Sequence, residues 1–202
     1  MPDAATPNPT RRSERSRQSV LTAARDLVAE RGYPKVTIES IAARAGVGKQ
    51  TIYRWWPSKG AVILDAYLAL SEGEDGVELP DTGDLEADLK AVMRATVAEF
   101  DDPALEASLR ALNTQITDDP HLSALYRERL ADPLDDAKKT RLRAAQQAGQ
   151  LDSEADLDLV VEFLYAPLYQ RWLQRSGELT PEYTDAIVDV ALRAFAPRTD
   201  HR

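Results

Sequence analysis

Five polar side chains within six positions carry the densest chemistry in the sequence: Lys49, Gln50, Thr51, Tyr53 and Arg54. Lysine and arginine can donate to guanine or neutralise a phosphate, and glutamine matches the two-point edge of adenine. Threonine offers a hydroxyl or a methyl, and tyrosine a donor for a phosphate oxygen. No acid interrupts the run, so it presents nothing repulsive to a polyanion. Each residue alone reads as an ordinary solvated side chain. Together on one short helix they read as a surface for a DNA groove.

Such a set needs a scaffold, and the surrounding segment Thr37–Lys59, TIESIAARAGVGKQTIYRWWPSK, meets the demands of a helix-turn-helix. Ala42 is small where the two helices must approach. Gly46, four positions later, tolerates the positive φ of the turn. Ile41, Ala45, Val47, Ile52 and one tryptophan supply apolar positions on both helices. Thr37, with Ser40 close behind, caps a helix from Ile38 to about Ala45. A second spans Gly48 to Trp56 and ends at Pro57. Of the adjacent tryptophans, Trp56 is expected in the core and Trp55 partly exposed. Ser58 then caps a further helix with Val62, Ile63, Tyr67 and Leu70 as its apolar positions.

Ahead of this segment, Val20, Leu21, Ala24, Leu27 and Val28 recur at helical spacing from Ser13 onward, until Gly32 and Pro34 stop the helix. Residues 1–12 read as a disordered tail, and the basic stretch 11–17 (RRSERSR) as a flexible arm, solvated rather than inserted in a minor groove. Residues 71–84 read as a linker. Beyond it a stripe runs from Leu85 to Phe100, helices start at Pro103 and Pro120, and a long helix over 121–148 is kinked at Pro133 and closed by Gly149. Apolar helices follow over 154–175 and 181–195. No useful length alternates with period two, so the expected fold is all-α.

Composition narrows the function classes. With 43% hydrophobic and 29% charged residues in a chain of 202, the protein is of ordinary globular type. No run approaches the ~20 apolar residues of a membrane span, and the first twenty residues hold no secretory core. Cysteine is absent, which removes disulfides and thiolate chemistry and fits a reducing cytoplasm. His121 and His201 lie too far apart in sequence to suggest a metal site, and no cofactor is implied. Serine-centred motifs and glycine-rich phosphate loops are also missing, so nothing supports an enzyme. The net charge is −9, yet residues 1–60 hold eleven Lys or Arg against five Asp or Glu. A basic head on an acidic body suits one end that meets an anion; a protein-binding helix-turn-helix is the alternative, and the positive head speaks against it.

The stretch TIESIAARAGVGKQTIYRWWPSKGAVI, after a helix ending in AERGY, resembles the N-terminal domain of the TetR/AcrR family of regulators. The resemblance covers residues 13–70. It implies a three-helix DNA-binding head over 13–60 and a helical ligand-binding and dimerisation domain over 61–202. A homodimer of this kind binds a palindromic operator in double-stranded DNA through the major groove, answers a small-molecule effector, and usually represses. Lys49, Gln50, Thr51, Tyr53, Arg54 and Trp55 match positions that touch bases or phosphates in such proteins. Thr37 matches the start of the second helix against the DNA backbone. Lys59 opens the fourth helix, where its ammonium and the helix N-terminus favour a phosphate. Gln50 departs from the glycine common there, so no base preference transfers.

For the body the resemblance implies less. Met93, Val97, Phe100, Leu112, His121, Leu125, Tyr126 and Trp172 are candidates to line a ligand pocket, although plain core accounts for most of them equally well. The family pairs through its final two helices, and DLVVEFLYAPLYQRWL is apolar nearly all round, as a helix buried on two sides must be. Phe163, Pro167, Gln170, Tyr183, Ile187 and Val190 are expected at that interface, with Pro167 bending its helix.

Overall fold

The computed structural model describes residues 9–71 and 79–197, and among them the regular structure is helical, with no strand. Helix α1 (Pro9–Arg31) buries the expected stripe of Val20, Leu21, Ala24, Leu27 and Val28. It begins four residues before Ser13, at a proline, whose missing N–H costs nothing in a first turn. Residues 9–12 and the basic stretch 11–17 are therefore helical, not a tail or a flexible arm. The rest of the expected tail, residues 1–8, lies outside the described residues, as do 72–78 of the expected linker.

A 3₁₀ turn at Tyr33–Lys35 leads to α2 (Ile38–Ala45). Thr37 Oγ1 accepts the Ser40 N–H at 3.1 Å while Ser40 Oγ accepts the Thr37 N–H at 3.0 Å, a reciprocal cap. Gly46 adopts φ 67 and ψ 34, and the Val47 N–H returns to the Ala42 carbonyl at 3.0 Å. Helix α3 is shorter than expected, Lys49–Tyr53, because its last turn tightens: the N–H groups of Trp55 and Trp56 both reach the Ile52 carbonyl. Helix α4 (Lys59–Ser71) starts where Ser58 Oγ accepts the Ala61 N–H at 3.2 Å, and residues 61–68 are all buried.

Two later helices, α6 (Pro103–Gln115) and α7 (Pro120–Tyr126), pack with these four: α6 against α1 and α4, α7 against α4. Residues 9–71 and 103–126 thus form one compact unit, which divides the chain differently from the boundary expected at residue 60. Gly60 permits the α4–α7 approach, since a Cβ there would lie 2.5 Å from Leu122 Cδ2.

The second unit comprises residues 79–102 and 127–197. It holds α5 (Leu85–Asp101), α8 (Asp132–Gln147), α9 (Leu157–Gln174) and α10 (Pro181–Ala194). Helix α10 lies along α5, joined by Lys90–Asp189 at 2.7 Å and by the Arg94–Asp185 pair. Arg141 of α8 is buried against Asp88 of α5 at 2.7 Å, and the same carboxylate accepts the Thr82 hydroxyl and N–H. The break expected at Pro133 falls just before it, as a π-helical turn over Arg127–Ala131. A proline ring cannot share a regular turn with the carbonyl four residues back, so the helix widens and restarts with Pro133 in the first turn of α8. No helix among the described residues is long and apolar enough to cross a membrane.

Candidate nucleic-acid interface

The first unit displays α3 on two buried anchors. Ile52 and Trp56, one helical turn apart, both point inward, and Trp56 Nε1 donates to Asp65 Oδ2 of α4 at 2.9 Å. With that side fixed, Lys49, Gln50, Tyr53 and Arg54 face solvent, and Thr51 and Trp55 are half-buried. Trp56 is thus the core tryptophan, and Trp55 meets it edge to face at 5.4 Å. The Arg54 guanidinium lies over the Trp55 ring, 5.0 Å from its centroid, which leaves the in-plane N–H groups for other partners. Thr37 is exposed at the start of α2, its oxygen engaged in the cap.

Two cations are less simple than their spacing suggests. Lys49 Nζ sits 3.0 Å from Glu39 Oε1 of α2, and that hydrogen bond holds the Glu39 carboxyl below its usual range. An acid therefore stands beside the cationic run after all, contributed by the neighbouring helix. Lys59 requires a correction. Its ammonium donates to the carbonyls of Tyr33 at 3.0 Å and Val36 at 2.8 Å and lies 3.8 Å from the Tyr33 ring centroid. Partial burial lowers its pKa. Lys59 clamps the turn before α2 to the start of α4, and does not reach outward as an open phosphate site requires.

The ligand candidates divide between the units. Met93, Val97, Phe100 and Trp172 are buried in the second, where Phe100 stacks on Trp172 at 4.8 Å and Tyr169 meets both rings edge-on. Leu112, His121, Leu125 and Tyr126 belong to the first. There Leu112 is core, and His121 is exposed, with its backbone N–H capped by Asp119. Neither unit alone gathers all eight. The first unit also holds a groove of about 420 Å³ between the end of α1 and α6, bordered by Tyr33, Glu106, Arg110, Thr114 and Gln115.

Of the expected interface residues, Phe163, Gln170 and Val190 are exposed, and Pro167 and Tyr183 half-buried. Ile187 is corrected: only 7% exposed, it faces its own core. Leu159, 50% exposed, and Leu173, 44% exposed, extend the stripe on α9 and were not singled out, because a helix apolar all round hides which side lacks a partner.

The chain is similar to known proteins along most of its length. Residues 20–66 match the family model of bacterial regulatory proteins of the tetR family, and residues 79–191 the tetracyclin repressor-like C-terminal domain. The HTH-type transcriptional regulator YdeS of Bacillus subtilis is 34% identical over 91% of this chain and 90% of its own. The DNA-binding transcriptional repressor TetR of Mycobacteroides abscessus is 31% identical over 90% and 94% respectively. Among solved structures, the TetR family transcription regulator SCO0332 superposes with a TM-score of 0.72 at 33% identity, over 90% of this chain and 99% of that one.

Proposed function

Because the chain belongs to the TetR family of DNA-binding transcriptional regulators, we propose that it represses transcription in the cytoplasm as a homodimer on a palindromic operator, released by a small-molecule effector. The observation that carries this reading is the exposed set Lys49, Gln50, Tyr53 and Arg54 on a helix whose opposite side is anchored by Ile52 and Trp56. Helix α3 enters the major groove, Gln50 and Thr51 read base edges, and Lys49, Tyr53, Arg54, Trp55 and Thr37 engage bases or backbone. Phosphate contacts hold the register, while the base-facing side chains select the site.

Pairing through α9 and α10 supplies the second head. Leu159, Phe163, Gln170 and Leu173 follow one another at helical spacing along the exposed side of α9, and Val190 is exposed on α10. A second copy of the chain is the partner that a two-fold operator demands. The effector site is assigned to the aromatic group around Phe100 and Trp172, with Met93 and Val97 behind it. A coupling of about 2–3 kcal/mol between effector and operator would change DNA affinity roughly 30- to 150-fold. Repression follows the printed function of the Mycobacteroides relative. Selection of genomic fragments by the purified protein tests the reading: recovery of an inverted repeat supports it, and recovery of no enriched sequence refutes it.

A further inference from the structure

Trp56, Asp65 and Arg17 form a polar strut inside the first unit, behind the reading surface. The Trp56 indole donates to Asp65 Oδ2 at 2.9 Å, and Arg17 of α1 donates to the same oxygen at 3.1 Å. Trp56 and Asp65 are both buried. A buried carboxylate persists only with hydrogen bonds and a counter-charge, and here one oxygen receives both. Apolar side chains of similar volume would hold the three helices together at least as well. What the strut adds is direction.

That direction bears on α3. The Trp56 backbone N–H returns to the Ile52 carbonyl at 3.0 Å, so the indole moves with the last turn of α3, while Asp65 sits in the middle of α4. Apolar contact around Ile52 tolerates a roll of α3 about its own axis. A hydrogen bond, which weakens steeply as its angle closes, resists that roll. Turning a helix by about 20° moves a side-chain tip ~6 Å from the axis by roughly 2 Å. A two-point base contact does not survive that displacement; a cation beside a phosphate does.

We infer that Asp65 is a positioning residue for sequence reading: through Trp56 it sets the roll of α3, so that α4 governs which base edges Gln50 and Thr51 meet. The inference rests on the DNA-reading function proposed above. Its test uses the full chain and two duplexes of equal length, one a site selected by the wild type and one of random sequence. Trp56→Phe keeps an aromatic ring and removes the N–H; Asp65→Ala removes the acceptor. Each should bind the selected site about tenfold more weakly, the size of one lost base contact. Affinity for the random duplex should stay within about twofold. The double variant should lose no more than either single one, and Asp65→Asn, which restores an acceptor for the indole, should recover most of the loss.

Four results would overturn the inference: variants that discriminate like wild type, equal losses on both duplexes, additive losses, or Asp65→Asn as poor as Asp65→Ala. If Asp65→Ala lowers the melting temperature sharply, Trp56→Phe decides alone by the same two-duplex comparison. A wild type with no preferred site removes the DNA-reading function and the strut's role with it. A selective wild type with equally selective variants removes the strut's role only.

Discussion

At the scale of single residues, ion pairing changes what the cations near α3 can do. Lys49 shares its charge with Glu39, an exposed pair whose two members lie on different helices. Glu39→Gln should tighten binding to any duplex by at most about fivefold, the modest gain that an exposed, solvent-screened pair allows; an unchanged Kd would mean that Lys49 is already clear of its partner on DNA. Arg54→Ala should weaken binding to all sequences and reduce the slope of log affinity against log salt by about one, as loss of one phosphate contact does. Lys59→Ala should leave that slope alone and lower the melting temperature, because two carbonyls and a ring lose their cation. The identities of the outward residues on α3 were legible in the sequence, since two apolar anchors four apart dictate which positions face away. Glu39 and the inward turn of Lys59 were not, because both depend on contacts between segments that spacing along one helix does not contain.

At the scale of elements, most boundaries were legible from caps and breakers. Thr37 with Ser40, the turn at Gly46, Ser58, Pro103, Pro120 and Gly149 all stand where local chemistry puts them. The start of α1 and the π-helical turn before Pro133 were missed, the first because polar residues 9–12 give no periodic signal. Gly46→Ala should cost about 1 kcal/mol of unfolding free energy, the penalty of a side chain in the left-handed region, since no atom lies near enough to clash. In the second unit, Asp88→Asn leaves the exposed Asp81, 3.4 Å away, as the remaining counter-charge of the buried Arg141 guanidinium, and should cost about 1.5–3 kcal/mol by denaturant titration, the range of a hydrogen bond to a charged group. Burial works to raise the Asp88 pKa, but hydrogen bonds from Arg141 and Thr82 outweigh it, so the folded value lies below the ordinary one. Its stabilisation is therefore complete above the unfolded pKa near 4 and is lost as pH falls through the lower folded value. Acid unfolding curves of wild type and Asp88→Asn should converge below that pH; parallel curves would contradict the assignment.

At the scale of the whole molecule, the all-α class was legible, whereas the packing of α6 and α7 against α1 and α4 was not. Helices α6 and α7 fall with the head because their apolar faces meet α1 and α4, as at Gly60 and Leu122, and such pairings leave no local trace. The exposed apolar stripe on α9 makes self-association the central assertion at this scale. Phe163→Glu, which places a charge in that stripe, should yield monomers by sedimentation and abolish selective binding without unfolding the chain. The most direct measurement is hydroxyl-radical footprinting of the wild-type protein on a selected site, with the bound mass determined in parallel. A homodimer on an inverted repeat gives two protected patches on one face of the duplex, centred about one helical turn apart, and two chains for each DNA. A single patch held by a single chain would contradict it.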